Sequence, residues 1–152
     1  MIDNADRRLS AQIQMVLFNI GPNEYGLEVD LVQEVIRPPQ ITRAPRVPRF
    51  IKGVINLRGS IVPVLDVGEL LGHRSEEIRI YKRVIIAHQH DITLGLLVEG
   101  VKEVAYIDVS SEIPASAEQK ESLYLKGIGK LGERLVLLID LAGLLEGVQT
   151  AK

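Results

Sequence analysis

Two segments of this chain occur twice within it. Residues 50–72 align without a gap to residues 124–146, at a constant difference of 74 in residue number. Residues 25–35 align to residues 94–104, at a difference of 69. Because both matches occur in the same order, they indicate that one half of the chain is a duplicate of the other. The second half then has five additional residues, which we place in a solvated loop over the polar stretch 108–121.

Each half contains short apolar, β-branched segments separated by turn residues, a pattern typical of small barrels or sandwiches. In the first half we expect strands at 15–20, 25–29, 54–58 and 61–65. In the second we expect strands at 84–88, 93–98, 101–107, 124–131 and 134–139. Short helices are predicted at 31–37, capped by Asp30, and after Asp66 and Asp140. The duplication therefore predicts a mainly β protein with two similar small barrels, related by a pseudo-two-fold axis and sharing an interface.

The organisation expected from this pattern is a single domain over residues 15–147, with repeat halves at about 15–72 and 84–146. Residues 1–14 are predicted to form a mobile N-terminal tail, and residues 148–152 a short C-terminal tail. The first 14 residues are polar and of mixed charge, unlike a secretory signal or a transit peptide. No stretch approaches the ~20 apolar residues of a membrane span, and cysteine is absent, so we expect a cytoplasmic protein without membrane insertion.

No credible catalytic constellation is visible. Gly127–Gly132 matches GxGxxG, but a strand is predicted to follow where a dinucleotide site needs a helix, so hairpin glycines are the favoured interpretation. His88 and His90 lie at a predicted hairpin tip without a third ligand, which predicts a solvated turn rather than a metal site. We therefore expect no enzyme activity, no cofactor and no metal. A nucleotide-using enzyme working through residues 127–132 remains the weakest alternative.

The segment between Glu34 and Asp66 contains no acidic residue. It contains six basic residues: Arg37, Arg43, Arg46, Arg49, Lys52 and Arg58. Because the net charge of the chain is −2, the rest of the chain carries a net charge of −8. Prolines at 38, 39, 45 and 48 favour an extended arm. Such an arm suits an acidic protein surface or nucleic-acid phosphates, and the simplest alternative is a scatter of solvated charges. The lack of aromatic residues and the pI near 5.9 favour a protein partner.

Arg58 is a charged residue that does not recur in the second copy. Its equivalent in the second half is Gly132, so a purely structural role common to both halves does not explain it. The planar guanidinium suits recognition of a carboxylate. Arg58 is therefore a candidate either for a partner contact or for an ion pair within the chain, with Glu34 as its partner.

The phrase GVINLRG at 53–59, followed by VPVLD at 62–66, resembles the CheW domain, the coupling module of bacterial chemotaxis. The second half agrees through LGLLVEGVKEV at 94–104 and YLKGIGKLGERLVLLID at 124–140. The resemblance covers residues 15–147 in register, without a fused kinase or receiver domain. It implies two SH3-like five-stranded barrels and a non-catalytic adaptor. Such adaptors link chemoreceptor cytoplasmic tips to the regulatory domain of a CheA-type histidine kinase in membrane-associated receptor arrays.

The resemblance also implies site residues. The receptor tip, a helical hairpin, would bind an apolar cleft between the barrels, whose residues are carried over by motif position: Val16, Val29, Val32, Val101 and Val104. Arg58, Glu34 and Gly53 would contact or couple to the kinase and receptor. For each valine, an ordinary core position is an equally simple interpretation. The alternatives for the whole chain are a divergent CheW-like scaffold in another receptor–kinase pathway, or a small-barrel nucleic-acid binder using the 37–58 arm.

Overall fold

The computed structural model describes residues 11–73, 80–111 and 123–150, and these contain ten strands and three short helical segments. The first half holds β1 (Ala11–Ile20), β2 (Asn23–Glu28), a 3-10 helix (Val29–Leu31), β3 (Val32–Ile36), β4 (Ile51–Leu57), β5 (Ser60–Asp66) and α1 (Val67–Leu70). The second half holds β6 (Arg83–Gln89), β7 (Ile92–Val98), β8 (Gly100–Ser110), β9 (Leu125–Leu131), β10 (Arg134–Ile139) and α2 (Leu141–Thr150). The predicted mainly β fold is confirmed.

The strands form two five-stranded sheets. Sheet A is a closed barrel in the order β1-β2-β10-β9-β8, and sheet B has the order β3-β6-β7-β5-β4. Each sheet takes the first two strands of one half and the last three strands of the other. The halves therefore do not fold separately but exchange strands reciprocally, through the parallel pairs β2–β10 and β5–β7. Sequence similarity alone marks the two copies but does not show which copy supplies each strand.

A pair of close backbone contacts recurs in the two sheets. In sheet A, Ser110 pairs with Ile128. In sheet B, Thr42 makes an isolated bridge to Val54, the repeat equivalent of Ile128, with both hydrogen bonds at 2.9 Å. The bridge joins the chain after β3 to β4, so this edge of sheet B is held by one pair where sheet A has a longer ladder.

Strands β1, β6 and β7 are apolar on both faces because each face is buried in a different cluster. On β1, Met15 and Leu17 point into the interior of sheet A, whereas Val16 and Phe18 belong to a larger cluster. That larger cluster, here called the shared cluster, contains buried residues of both sheets and both α-helices. The predicted shared interface between the two barrels is thus confirmed.

The helices at the ends of the repeats begin where Asp66 and Asp140 predicted them. The Asp66 carboxylate accepts the Glu69 amide at 3.1 Å, and that of Asp140 accepts the Gly143 amide at 3.2 Å. Asp66 is only 5% exposed, and it also accepts the Tyr81 hydroxyl at 2.5 Å and lies 3.6 Å from the Lys52 ammonium. The cap in the first half therefore also joins α1 to the chain before β6.

The helix predicted over residues 31–37 is wrong. Only Val29–Leu31 form a 3-10 helix, with Glu28 rather than Asp30 at the N-cap position, and Val32–Ile36 form strand β3. The stripe of apolar residues fits a helix, but Val32, Val35 and Ile36 are β-branched and pair with β6. Pairing with the edge of a sheet satisfies backbone groups that so short a helix would leave open.

Candidate functional site

Four of the five predicted cleft valines lie in or against the shared cluster. Val16 is 4% exposed and belongs to the cluster itself. Val29, Val32 and Val101 are half-buried and pack against it. Val104 instead lies on the outer surface of β8 and is 52% exposed.

The half-buried valines lie where the two sheets meet. The 3-10 helix that contains Val29 contacts both β1 of sheet A and β6 of sheet B. Val32 follows directly and pairs with Ala87 on β6, whereas Val101 pairs with Phe18 on β1. These three half-buried valines at the margin of the shared cluster are here called the apolar rim, whereas Val16 is buried and packs as core.

Arg58 and Glu34 form the ion pair that the sequence offered as one of two roles for Arg58. One guanidinium nitrogen donates to Glu34 Oε1 at 3.2 Å and the other donates to Oε2. The side chain of Arg58 is 65% exposed and that of Glu34 is 28% exposed. The hydrogen bond from Arg58 holds the pKa of Glu34 below its usual range, and Glu34 in turn raises the pKa of Arg58. The Arg58 guanidinium is thus held in one orientation at the surface, and the Glu34 carboxylate balances its charge.

The backbone places Arg58 at the tip of the β4–β5 hairpin. Its φ of 49° is positive, and the amide of Gly59 donates to Asn56 Oδ1 at 2.8 Å. Left-handed backbone at a non-glycine residue costs free energy, so the Asn56 hydrogen bond helps to hold this turn. The turn directs Arg58 towards Glu34 on β3.

Gly53 has a structural requirement of its own. A Cβ atom at this position would lie 2.1 Å from the Thr42 carbonyl oxygen, and φ is 148°. Its repeat equivalent Gly127 would meet the Ser110 carbonyl oxygen at 2.0 Å, with φ of 158°. Both glycines therefore allow the close strand approach that recurs in the two sheets, so the presence of glycine at 53 needs no partner to explain it.

The other motifs fall in hairpins, as predicted. Gly127 and Gly129 are on β9 and Gly132 is in the turn to β10, so no helix follows this segment. His90 lies in the β6–β7 turn, and His88 Nδ1 lies 2.9 Å from Thr93 Oγ1. Among residues 11–73, 80–111 and 123–150, no group of three or more His, Cys, Asp or Glu side chains is arranged to hold a metal ion.

The basic arm is exposed, but it is not extended throughout, because turns lie at 45–46 and 49–50. Half of its charges have acidic neighbours. Besides the Arg58 pair, Arg49 lies 3.6 Å from Glu69 and Lys52 lies 3.6 Å from Asp66. The side chains of Arg37, Arg43 and Arg46 are exposed. No helix in the described segments is long and apolar enough to cross a bilayer.

Sequence reasoning missed a second charged network, at the corresponding end of sheet A. Arg134 donates to Glu24 through Nε at 3.2 Å and through a second nitrogen, and to Glu103 at 3.1 Å. Lys102 lies 3.9 Å from Glu24, whose side chain is 13% exposed. The equivalence of Glu103 with Glu34 was the available signal, because it marks the same acidic position in both halves.

Comparison with known proteins agrees with this architecture. The family model of the CheW-like domain matches residues 14–149. The chain is 34% identical to the chemotaxis protein CheW of Klebsiella aerogenes, over 91% of this chain and 84% of that protein. It is 30% identical to CheW of Thermotoga maritima, over 90% of each. The crystal structure of the scaffolding protein TtCheW from Thermoanaerobacter tengcongensis superposes with a TM-score of 0.76 at 33% identity, covering 86% of this chain and 90% of that one. The chain belongs to the CheW-like family.

Proposed function

We propose that this chain is a non-catalytic adaptor that couples chemoreceptor cytoplasmic tips to the regulatory domain of a CheA-type histidine kinase. The observation that carries the proposal is the apolar rim formed by Val29, Val32 and Val101 at the junction of the two sheets. Family membership supports the coupling role, because relatives of similar length are named chemotaxis proteins. The protein would act at membrane-associated receptor arrays in the cytoplasm.

The rim suits a helical hairpin. An amphipathic helix binds by laying its apolar face into an apolar groove. The half-buried valines offer apolar surface for such a contact, while Val16 and Phe18 of the same cluster are already buried. Burial of the remaining valine surface provides affinity at about 25 cal/mol per Å² of apolar area, before the costs of association.

The Arg58–Glu34 pair supplies a second, polar feature on the β4–β5 side. Coupling requires that the receptor state change the equilibrium of the kinase through this protein. A guanidinium held in one orientation by Glu34 retains N–H groups facing solvent and so offers defined donors to a partner. Arg58 and Glu34 are therefore proposed as partner-contact or coupling residues, with Gly53 positioning the adjoining strand.

A reconstituted array tests the proposal. Purified receptor cytoplasmic fragment, kinase and this protein are combined, and kinase autophosphorylation is measured with and without it. We expect stimulation with the wild-type protein and a loss of stimulation with Arg58→Ala. Lys82→Ala, which removes an exposed positive charge outside both the pair and the 37–58 arm, is the matched control and should behave like the wild type. Full stimulation by Arg58→Ala would refute the role given to Arg58, and no stimulation by the wild type would refute the adaptor function.

The rim is tested separately. Methyl resonances of Val29, Val32 and Val101 should shift on addition of the receptor fragment, whereas that of the outward-facing Val104 serves as the control. Shifts confined to Val104 would place the receptor on the outer face of β8 and would contradict the proposed cleft.

A further inference from the structure

The two sheets carry the same structural corner, and its chemistry differs between them. In sheet A the corner is filled by the guanidinium of Arg134, which donates to Glu24 and Glu103, with Lys102 beside Glu24. The corner lies between the start of β10, the start of β2 and β8. An intramolecular arginine thus satisfies two carboxylates there.

The repeat identifies the corresponding corner in sheet B. The difference of 74 relates Arg134 to Ser60, and the difference of 69 relates Glu24 to Thr93 and Lys102 to Gln33. Three charged side chains are thus replaced by smaller or neutral polar ones.

Sheet B has an open pocket at this corner. Its volume is about 460 Å³. Three of its lining residues, Gln33, Ser60 and Thr93, are the replacements named above. The full lining is Gln33, Leu57, Arg58, Ser60, Ile61, Val62, Asp91 and Thr93. The pocket is therefore lined at the positions that Arg134, Glu24 and Lys102 occupy in sheet A. This space is large enough for a long side chain.

The charges at the two corners also differ. In sheet A, Arg134 and Lys102 balance Glu24 and Glu103. In sheet B, Arg58 balances Glu34 by the bidentate pair, and Asp91 on the pocket wall adds one further negative charge. One additional cation would restore the balance found in sheet A.

The lining offers several hydrogen-bond acceptors to a guanidinium. The Ser60 hydroxyl, the Gln33 amide oxygen and the Asp91 carboxylate all accept hydrogen bonds. Thr93 Oγ1 lies 2.9 Å from His88 Nδ1 and retains acceptor capacity, because a hydroxyl has two lone pairs. Ile61 is 65% exposed beside them and would pack on the methylene stem of a long basic side chain.

We propose that this pocket receives an arginine side chain from a protein partner, as its counterpart in sheet A receives Arg134. The partner surface would present the arginine among apolar residues that cover Ile61. Arginine is favoured over lysine because the acceptors are spread over several residues, which a planar fork reaches better than a point charge. This inference rests on the internal repeat and holds whichever protein the adaptor binds.

The test uses single-residue probes on the full chain. Nα-acetyl-arginine amide is titrated into protein with labelled methyl groups, alongside the lysine analogue and the isosteric, neutral citrulline analogue. We expect saturating shifts at Ile61, Val62 and Leu57 with the arginine probe, with half-saturation near ~10 mM, as for a single weak contact. The lysine and citrulline probes should give clearly smaller shifts. No saturable shift at these methyls, or equal shifts with either analogue, would overturn the proposal.

Filling the pocket provides the second arm. The double variant S60R/T93E rebuilds the Arg134–Glu24 pair in sheet B and should abolish the arginine response. Ser111→Arg makes the same serine replacement at an exposed site outside the pocket and should leave the response intact. If the double variant does not fold, S60R alone takes its place as the variant that fills the pocket. A response unchanged by filling would also overturn the proposal. Because the probe does not require the kinase, its outcome is independent of the adaptor assay above.

Discussion

Gly53→Ala is expected to destabilise the fold strongly, through the backbone rather than through any partner. The added methyl group would lie 2.1 Å from the Thr42 carbonyl oxygen and 2.8 Å from its carbon, both of them backbone atoms that no side-chain rotation can move. Overpacking of this kind costs about 1–3 kcal/mol, and an L residue at φ 148° adds about 1–2 kcal/mol. The unfolding free energy should therefore fall by about 2–5 kcal/mol, out of the ~5–15 kcal/mol typical of a domain.

The assay is equilibrium urea unfolding followed by circular dichroism, with three other glycine variants for comparison. Gly127→Ala should lose a similar amount, because its Cβ would meet the Ser110 carbonyl oxygen at 2.0 Å. Gly59→Ala has open space but φ of 90°, so it should lose about 1 kcal/mol through strain alone. Gly100→Ala meets only the flexible Asn19 side chain, at 3.2 Å, and should change stability by less than about 0.5 kcal/mol. A loss for Gly53→Ala no larger than that for Gly59→Ala would refute the steric argument.

Three further predictions concern charged side chains. The hydrogen bond from Arg134 lowers the pKa of Glu24 from 4.5, so the stability it contributes is present above about pH 4.5 and is lost as the pH falls through the lowered value. Urea unfolding between pH 3 and 6 should therefore show a steeper acid loss for the wild type than for Glu24→Gln, and equal slopes would contradict this. Arg58→Ala should leave the urea midpoint within error of the wild type, because the pair is largely exposed; a clear drop would mean that the pair is structural. Asp66→Ala should cost about 2 kcal/mol by removing the α1 cap and the Tyr81 hydrogen bond, and more than Asp140→Ala; the reverse order in thermal melts would contradict the role of Tyr81.

The duplication predicted most of the fold, because the strands and turns of one half recur in the other as similar sequence segments. The caps at Asp66 and Asp140 were predictable for the same local reason, since a cap depends on a side chain three residues from its amide. The exchange of strands between the halves was not predictable, because β2–β10 and β5–β7 pair residues far apart in the sequence. Residues 1–10, 74–79, 112–122 and 151–152 lie outside the described segments, and most of the N-terminal tail and inserted loop predictions fall there. Of the residues predicted as tails, 11–14 lie in β1 and 148–150 lie in α2.

Residues 31–37 show how a short apolar stripe misleads. The same spacing of Val32, Val35 and Ile36 suits one face of a helix or an edge strand, and only the contact with β6 decides between them. The repeat held the deciding signal, since residues 101–104 align to 32–35 and were predicted as a strand. Equivalent segments in a duplicated chain should adopt the same conformation unless a local sequence difference opposes it.

The residues of the candidate site were predictable from the sequence, but the burial of each residue was not. The Arg58–Glu34 pair followed from charge type and from the difference between the two copies. The valines were identified by motif position, which does not separate a buried Val16 from an exposed Val104. The pocket beside Ser60 needed the structure, because its meaning comes from Arg134 filling the equivalent corner of sheet A.

The adaptor function is tested most directly by titrating the purified protein with the isolated regulatory domain of a CheA-type kinase from the same organism, by calorimetry at physiological salt. Saturable one-to-one binding is expected, weakened by Arg58→Ala and unchanged by Lys82→Ala, which removes an exposed charge outside the 37–58 arm. A folded protein that gives no binding heat across temperatures, and no complex by size-exclusion chromatography, would contradict it.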